Sequence, residues 1–428
     1  YTKDDFLMLT SADYSDQTDD KGRRILKSRI WLPHPRRRQY RNLDFLPGQE
    51  ETDVLNLWTG WAIPSDAAGS CEAWLTLLRD VICGGDLVLN DWMLHWFANI
   101  VREPMEKSLT APVLIGVEGA GKSLLLAYFG RILGSGYIPV TNEEHIHGKF
   151  NKHMSTALLL HSEEALYAGD KKHAAIIRAL ITDNYRIHEQ KRIDGKRVKN
   201  FLRLILTSND RHAAPAKPGD RRYTVVMMGD RKVSDKLKDA VLVEMNSSGP
   251  AALHAYLLAM KYDPKVPRIN VKNEALADMK QANMTPFEAW WLETLTRGQI
   301  MPDCLNWCTQ PEKEDWPPVV SSVALYASFL IYANSTRART VPSNVLLSQN
   351  MNRYIGVPLQ RSQRSFDDPL LDGVPIQARN LGHRQYAITN IPDLNECREA
   401  FERYLGQQIK WPEEDDEPRP ERKQHDKF

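Results

Sequence analysis

Apolar and polar positions divide the chain into stretches of different period. Residues 1–50 hold no sustained helical repeat. Basic positions Lys21, Arg23, Arg24, Lys27 and Arg29 give way there to Arg36, Arg37, Arg38 and Arg41, with Pro33 and Pro35 breaking the chain between them. From Val54 the chain turns apolar and aromatic. Residues 71–81 and 87–101 space Trp, Leu, Phe and Ile at helical intervals, which predicts two helices. Their aromatics Trp74, Trp92, Trp96 and Phe97 read as core, the alternative being a platform on which bases stack.

Between about Ala111 and Lys261 short apolar runs at 113–117, 157–161, 202–209 and 223–229 are separated by helical stretches. Buried strands alternating with helices predict an α/β fold with a mainly parallel sheet covered on both faces. Residues 273–297 return to a helical pattern, and the acidic, proline-containing stretch 311–318 reads as a linker. Residues 320–333 and 344–355 predict helices, followed by strand-like pieces at 373–378 and 384–390. Helices followed by a short hairpin suggest a winged-helix-like module. The last residues, rich in charge and proline and poor in apolar side chains, predict a disordered tail.

A chain of 428 residues has room for roughly three domains. Lys and Arg number 56 against 55 Asp and Glu, so a uniformly basic chain is excluded and any nucleic-acid surface is a local patch. The basic arm at 1–50 is either solvated and partly extended or a phosphate-contacting strip. No run approaches the ~20 apolar residues of a membrane span, and the start carries no signal-peptide pattern. A chain opening on Tyr1 is expected to be a piece of a longer one. Five scattered cysteines form no disulfide framework, which suits a reducing cytoplasm.

The strongest chemical signal is the run Gly116-Val-Glu118-Gly119-Ala120-Gly121-Lys122-Ser123 between an apolar strand and a helix that opens at Leu124. Glycines let backbone N–H groups curl around phosphate oxygens, and the helix N-terminus adds its dipole. Lys122 would then reach the β- and γ-phosphates of ATP and Ser123 would ligate Mg²⁺. Downstream, Glu163 and Glu164 end an apolar strand, either as a metal ligand and a water-activating base or as a plain polar, exposed turn. Asn209 ends another such strand, where it would sense the γ-phosphate or form a plain turn. Arg221 and Arg222 form either a surface ion-pair cluster or a finger projecting into a neighbour's site.

Between these lies a stretch with Asp194-Gly195 among alternating residues, a hairpin signal, whose tip would carry Lys191, Arg192, Lys196 and Arg197 with His188 close by. Such a hairpin either grips single-stranded DNA or protects a sheet edge. Cys304 and Cys308 lack a second Cys/His pair for zinc, and His145, His147 and His153 read as polar surface.

Taken in order, these motifs resemble the superfamily 3 helicases, in particular the helicase portion of phage and plasmid primase-helicases. The resemblance covers roughly residues 40–335. Phe45-Leu-Pro-Gly48 and Asn56-Leu-Trp58-Thr-Gly60-Trp61 look like the family's lead-in segment, and GVEGAGKS like its Walker A. Residues 162–172 look like its Walker B stretch, with Glu163 where Asp is usual. Arg178, where Lys is often found, opens the next motif; LILTSN is similar to the sensor strand and GDRRY to the arginine-finger stretch.

The resemblance implies an AAA+-like P-loop ATPase core (109–265) after a helical segment (51–108), then a helical extension and linker (266–317), a winged-helix-like module (318–395), and a helix with tail (396–428). It implies a homo-hexameric ring around single-stranded DNA, with ATP and Mg²⁺ held by Lys122, Ser123 and Glu163. Glu164 would activate water, Asn209 would sense the γ-phosphate, and Arg221 or Arg222 would act in trans. A primase or primase-polymerase domain would lie upstream. The expected function is an ATP-dependent DNA helicase of phage or mobile-element replication in the host cytoplasm, the alternative being a loader or remodeller of proteins.

Overall fold

The computed structural model describes residues 3–141, 154–163, 171–190, 193–210, 214–300, 316, 320–338, 341–365, 384–388 and 390–412. Short elements make up the basic arm: α1 (Lys3–Leu9), an antiparallel pair β1 (Tyr14–Thr18) and β2 (Arg24–Leu26), and α2 (Lys27–Trp31). The arm is thus less extended than its pattern predicts. Its turn is built on Asp19, whose carboxylate accepts the backbone N–H groups of Lys21 and Arg23 at 3.0 and 2.8 Å. Strands β3 (Asn42–Asp44) and β4 (Val54–Asn56) then pair in parallel.

Next come α3 (Glu72–Thr76), which runs on into a π-helical turn at Leu77–Ile82, and α4 (Leu87–Arg102). Asp86 caps α4 by accepting the N–H groups of Val88 and Leu89. Trp74, Trp92, Trp96 and Phe97 are all buried. They are core, and a base-stacking role is excluded for them.

Beyond them follow β5 (Ala111–Gly116), α5 (Lys122–Leu133), β6 (Tyr137–Val140), β7 (Leu159–Glu163), α6 (Lys171–Thr182), β8 (Tyr185–Gln190), β9 (Ile193–Lys199), β10 (Arg203–Ser208) and β11 (Tyr223–Gly229). Five of these form one parallel sheet in the order β11-β5-β10-β7-β6. Alternate residues serve two cores, as a sheet covered on both faces requires. Leu114, Leu159, Ile205 and Val226 join one core with α4, α5 and the later helix 249–259, while Val113, Leu160, Leu204 and Val225 join the other with α6. Strand β6 is announced only by the four residues Tyr137-Ile-Pro-Val140; it includes Pro139 and sits at the edge, where a missing N–H costs no ladder bond.

After the sheet come α7 (Asp235–Met245), α8 (Gly249–Ala259), α9 (Glu274–Ala282) and α10 (Pro286–Arg297). The helical pattern over 273–297 is carried by two helices. Thr285 begins the second with a capping box to Glu288 and Pro at its first position, a start signal inside an otherwise continuous apolar pattern. The last unit holds β12 (Val320–Ser321), α11 (Ser322–Ser335), α12 (Asn344–Tyr354), β13 (Arg361–Ser365), β14 (Arg384–Ile388) and α13 (Leu394–Leu405), with β14 antiparallel between β12 and β13. Phe287, Trp291, Phe329, Tyr354 and Phe401 centre its own core. At the end of α13 the Leu405 carbonyl accepts both the Gly219 N–H at 3.0 Å and Lys280 Nζ at 3.3 Å. Among the described residues no helix is long and apolar enough to cross a membrane.

Candidate functional site

Strand β5 ends at Gly116, and the chain reverses through Val117–Gly121 into α5. The reversal needs glycine twice, since Gly119 and Gly121 stand at φ +79° and +88°. At Gly121 a Cβ would also lie 3.0 Å from Leu77 Cδ1 in the π-helical turn, close enough that the leucine would have to shift. Gly116 serves packing instead, because a Cβ there would come within 2.7 Å of Met228 Cβ on β11.

Lys122, the first residue of α5, turns its ammonium back over this loop. It donates to the carbonyls of Gly116 and, at 3.1 Å, Val117, and to Asn209 Oδ1 at 2.9 Å. Ser123 Oγ donates to Glu163 Oε1 at 2.5 Å. The sheet register explains the convergence: Thr207 on β10 lies opposite Glu163 on β7, so Asn209 emerges just past the strand tip beside the loop. Lys122, Ser123, Glu163 and Asn209, with Glu118, Gly119, Ala120, Gly121 and Leu124, line a cleft of about 780 Å³ at the C-terminal ends of the parallel strands. Open α/β sheets bind ligands in that position. Glu164 lies outside the described residues.

Four further residues escaped the sequence reading. His161 is buried two positions before Glu163, on the same face of β7. Its Nδ1 meets the Tyr137 hydroxyl and its Nε2 the Thr207 hydroxyl, each at 2.9 Å, and Glu163 Oε1 is 3.8 Å away. Burial pulls the His161 pKa down to about 4 against the raising effect of Glu163, so the ring is neutral at physiological pH. Strand alternation in Leu-His-Ser-Glu was the available signal. His161 stands behind the cleft, whereas Thr207, Lys232 and Lys238 line it. The two lysines flank the start of α7, where Ser234 as N-cap marks a helix but gives no hint of its direction.

Arg221 and Arg222 lie at the other end of the sheet, just before β11, whose Tyr223 pairs with Ala111. The length of a strand, roughly 20 Å, separates them from the cleft of their own chain. Arg222 pairs with Asp220 at 3.1 Å and Arg221 is exposed.

The basic hairpin exists as the antiparallel pair β8–β9, but its turn is not at Asp194-Gly195. Gln190 pairs with Ile193 and Asp194-Gly195 belongs to β9, while Lys191 and Arg192 lie outside the described residues. The regular pairing from Tyr185↔Lys199 to His188↔Lys196 already excludes a turn at 194–195, and the register shifts once between His188 and Gln190. Lys196 stands opposite His188 in the ladder, and Arg197 lies 4.1 Å over the Tyr185 ring. Cys304, Cys308, His145, His147 and His153 lie outside the described residues. Among the described ones no group of three or more His, Cys, Asp or Glu is placed to hold a metal.

Behind the hairpin the N-terminal end of β10 is tied down by buried cations. Arg203 donates to the carbonyls of Phe201 at 2.7 Å and of Glu103, Pro104 and Glu106 at 2.6, 2.6 and 2.5 Å, as well as to Asn99. Lys107 Nζ donates to the Leu180 and Asp183 carbonyls, which Asn200 Nδ2 also meets.

Residues 114–222 match a family of unknown function, DUF5906. A DNA primase-polymerase of Nitratiruptor phage NrS-1 is 23% identical over 136 residues, which are 31% of this chain and 19% of that protein. The match therefore spans less than a fifth of that relative's length. The apo structure of the NrS-1 C-terminal region shares the fold with a TM-score of 0.61 at 16% identity, covering 81% of this chain and 84% of that one. Two A-form apo structures of the same region give TM-scores of 0.59 and 0.60 at 15% and 16% identity, covering 86% and 88% of this chain and 91% and 93% of theirs. At such identities the likeness is one of fold.

Proposed function

We propose that this chain is an ATP-driven enzyme of phage-type DNA replication: a P-loop ATPase of the superfamily 3 kind that moves on single-stranded DNA as a ring of identical copies. One observation carries the reading. Lys122, Ser123, Glu163 and Asn209, coming from the loop after β5 and the ends of β7 and β10, meet around one cleft at the C-terminal edge of a parallel sheet. The glycine loop would cradle the phosphates with backbone N–H groups, and Lys122 would exchange its carbonyl partners for phosphate oxygens. Ser123 and Glu163 offer hard oxygen donors already in contact, which fits Mg²⁺; bound there, it would offset charge on the phosphates. Glu163 or Glu164 would orient the attacking water, with Asn209 beside the γ-phosphate.

The distance of Arg221 and Arg222 from their own cleft favours a role in a neighbouring copy, as an arginine finger requires. In the same reading the basic β8–β9 hairpin grips the DNA backbone, the C-terminal helices with their small antiparallel sheet form a winged-helix-like module, and the protein works in the host cytoplasm. The shared fold with the NrS-1 C-terminal region supports the placement in replication, and a primase or primase-polymerase domain upstream belongs to the same proposal. The test is phosphate release from ATP, with and without a single-stranded oligonucleotide. Lys122→Ala is expected to fall to background; normal turnover by that variant refutes the P-loop assignment. Wild-type turnover indifferent to DNA would transfer the enzyme to the loaders and remodellers.

A further inference from the structure

We propose that the arginine turn at residues 34–41 is a second polynucleotide contact, gripping the phosphate backbone of single-stranded DNA away from the ATPase cleft. Charge in the arm is segregated. Residues 1–20 hold six Asp and one Lys, whereas residues 21–41 hold nine Lys or Arg and no acidic residue. The β1–β2 fold sets the acidic strand against the first part of the basic run. Arg23 meets Asp19 at 2.9 Å, Arg24 meets Asp16 at 3.6 Å and Lys27 meets Asp13 at 3.8 Å; Arg41 pairs with Asp53 at 3.4 Å. Among the described residues no acidic side chain lies within 4.0 Å of Arg36, Arg37 or Arg38. Asp13, Asp16 and Asp19 are taken up by the first part of the basic run, while Arg36 and Arg38 stand exposed with Arg37 half-buried between them.

Their backbone is held in shape. Pro33 and Pro35 fix φ on either side of His34, the His34 N–H donates to the Trp31 carbonyl, and the Arg37 N–H donates to the His34 carbonyl, both at 3.1 Å. The Arg36 N–H donates to His34 Nδ1 at 3.2 Å. Aromatic groups flank the run: Trp31 is 48% exposed, and the Arg38 guanidinium lies 5.0 Å over the Tyr40 ring. Forked donors suit phosphate oxygens, and an exposed indole offers a face to an unpaired base, so the pair selects a single-stranded polyanion. The choice of ligand rests on the DNA reading above, but the contact itself needs no nucleotide.

The experiment is fluorescence anisotropy of a labelled oligo-dT with the full chain, without ATP, over a series of salt concentrations. Arg36→Gln/Arg37→Gln/Arg38→Gln is expected to bind about tenfold more weakly at low salt. The slope of log affinity on log salt should become shallower by about 2, at ~0.7 per single-strand phosphate contact. Replacing all three by Lys should keep most of the slope, and Arg23→Gln/Arg24→Gln, which alters paired arginines, should keep affinity within about twofold. Unchanged affinity and slope in the triple Gln variant, or an equal loss in the Arg23/Arg24 variant, overturns the proposal. So does loss of binding to phosphatidylserine vesicles while oligo-dT binding persists. If the wild-type chain ignores oligo-dT altogether, the translocation reading falls too; if only the triple variant is unaffected, the inference falls alone.

Discussion

Lys107 offers a test of the frame that carries the cleft. Its ammonium is buried behind the hairpin on the Leu180 and Asp183 carbonyls, at 2.6 and 3.1 Å. Burial, aided by the positive charges of Arg203 and Arg186 and opposed by Asp183, pulls its pKa from the usual lysine value down to about 7. The folded chain therefore binds fewer protons than the unfolded chain above that pH, and this one group makes stability rise from pH 7 toward the unfolded lysine value near 10.5. Below about pH 7 its burial penalty is present in full. Above about pH 9 the buried thiols of Cys71 and Cys83, pushed up to about 11 and 12, reverse the trend, so the useful window is pH 7 to 9. Across those two pH units a single lysine contributes at most about 2.7 kcal/mol.

Lys107→Met keeps the apolar stem and removes the titration. Urea unfolding followed by tryptophan fluorescence at both pH values should show the wild type gaining about 1–2.5 kcal/mol on the variant between pH 7 and 9. Groups shared by the two proteins cancel in that difference. Parallel pH dependences would mean that Lys107 stays charged on its carbonyl partners, and the reasoning would fail.

Two further outcomes bear on the proposed mechanism. Charge reversal at Lys191 and Lys196 should weaken binding to a single-stranded oligonucleotide by about tenfold and abolish DNA stimulation of ATP hydrolysis, with nucleotide affinity measured by a fluorescent analogue unchanged; retained stimulation removes the hairpin from the DNA path. Mixing Arg221→Ala and Lys122→Ala proteins should restore part of the phosphate release that each lacks alone. No recovery at any ratio denies Arg221 a role across subunits, and the same mixture with Arg222→Ala separates the two arginines.

Much of the sheet was legible because strands covered on both faces must be apolar along their whole length. The run Tyr223–Gly229 was bounded as the structure has it, and β5 and β10 within a few residues. Around Lys122, Ser123, Glu163 and Asn209 the spacing of types alone brought the group to one cleft, since each ends a neighbouring strand or begins the helix beside it. What escaped depended on partners far along the chain. His161 reads as one more residue of an apolar strand until Tyr137 and Thr207 are placed on either side of it. The hairpin turn was misplaced because Asp-Gly is a local signal, while the register is set by the whole β8–β9 ladder. The arm was missed because its elements are three to seven residues long, and Ser28 is the sole buried residue described between 3 and 44.

The shared carbonyl of Leu405 has a mechanical consequence. It accepts from Gly219 and Lys280 at once, so the last turn of α13, helix α9, and the stretch leading into Arg221 and Arg222 meet at a single oxygen. Because one acceptor serves both donors, a displacement of the end of α13 would disturb α9 and the residues before β11 together.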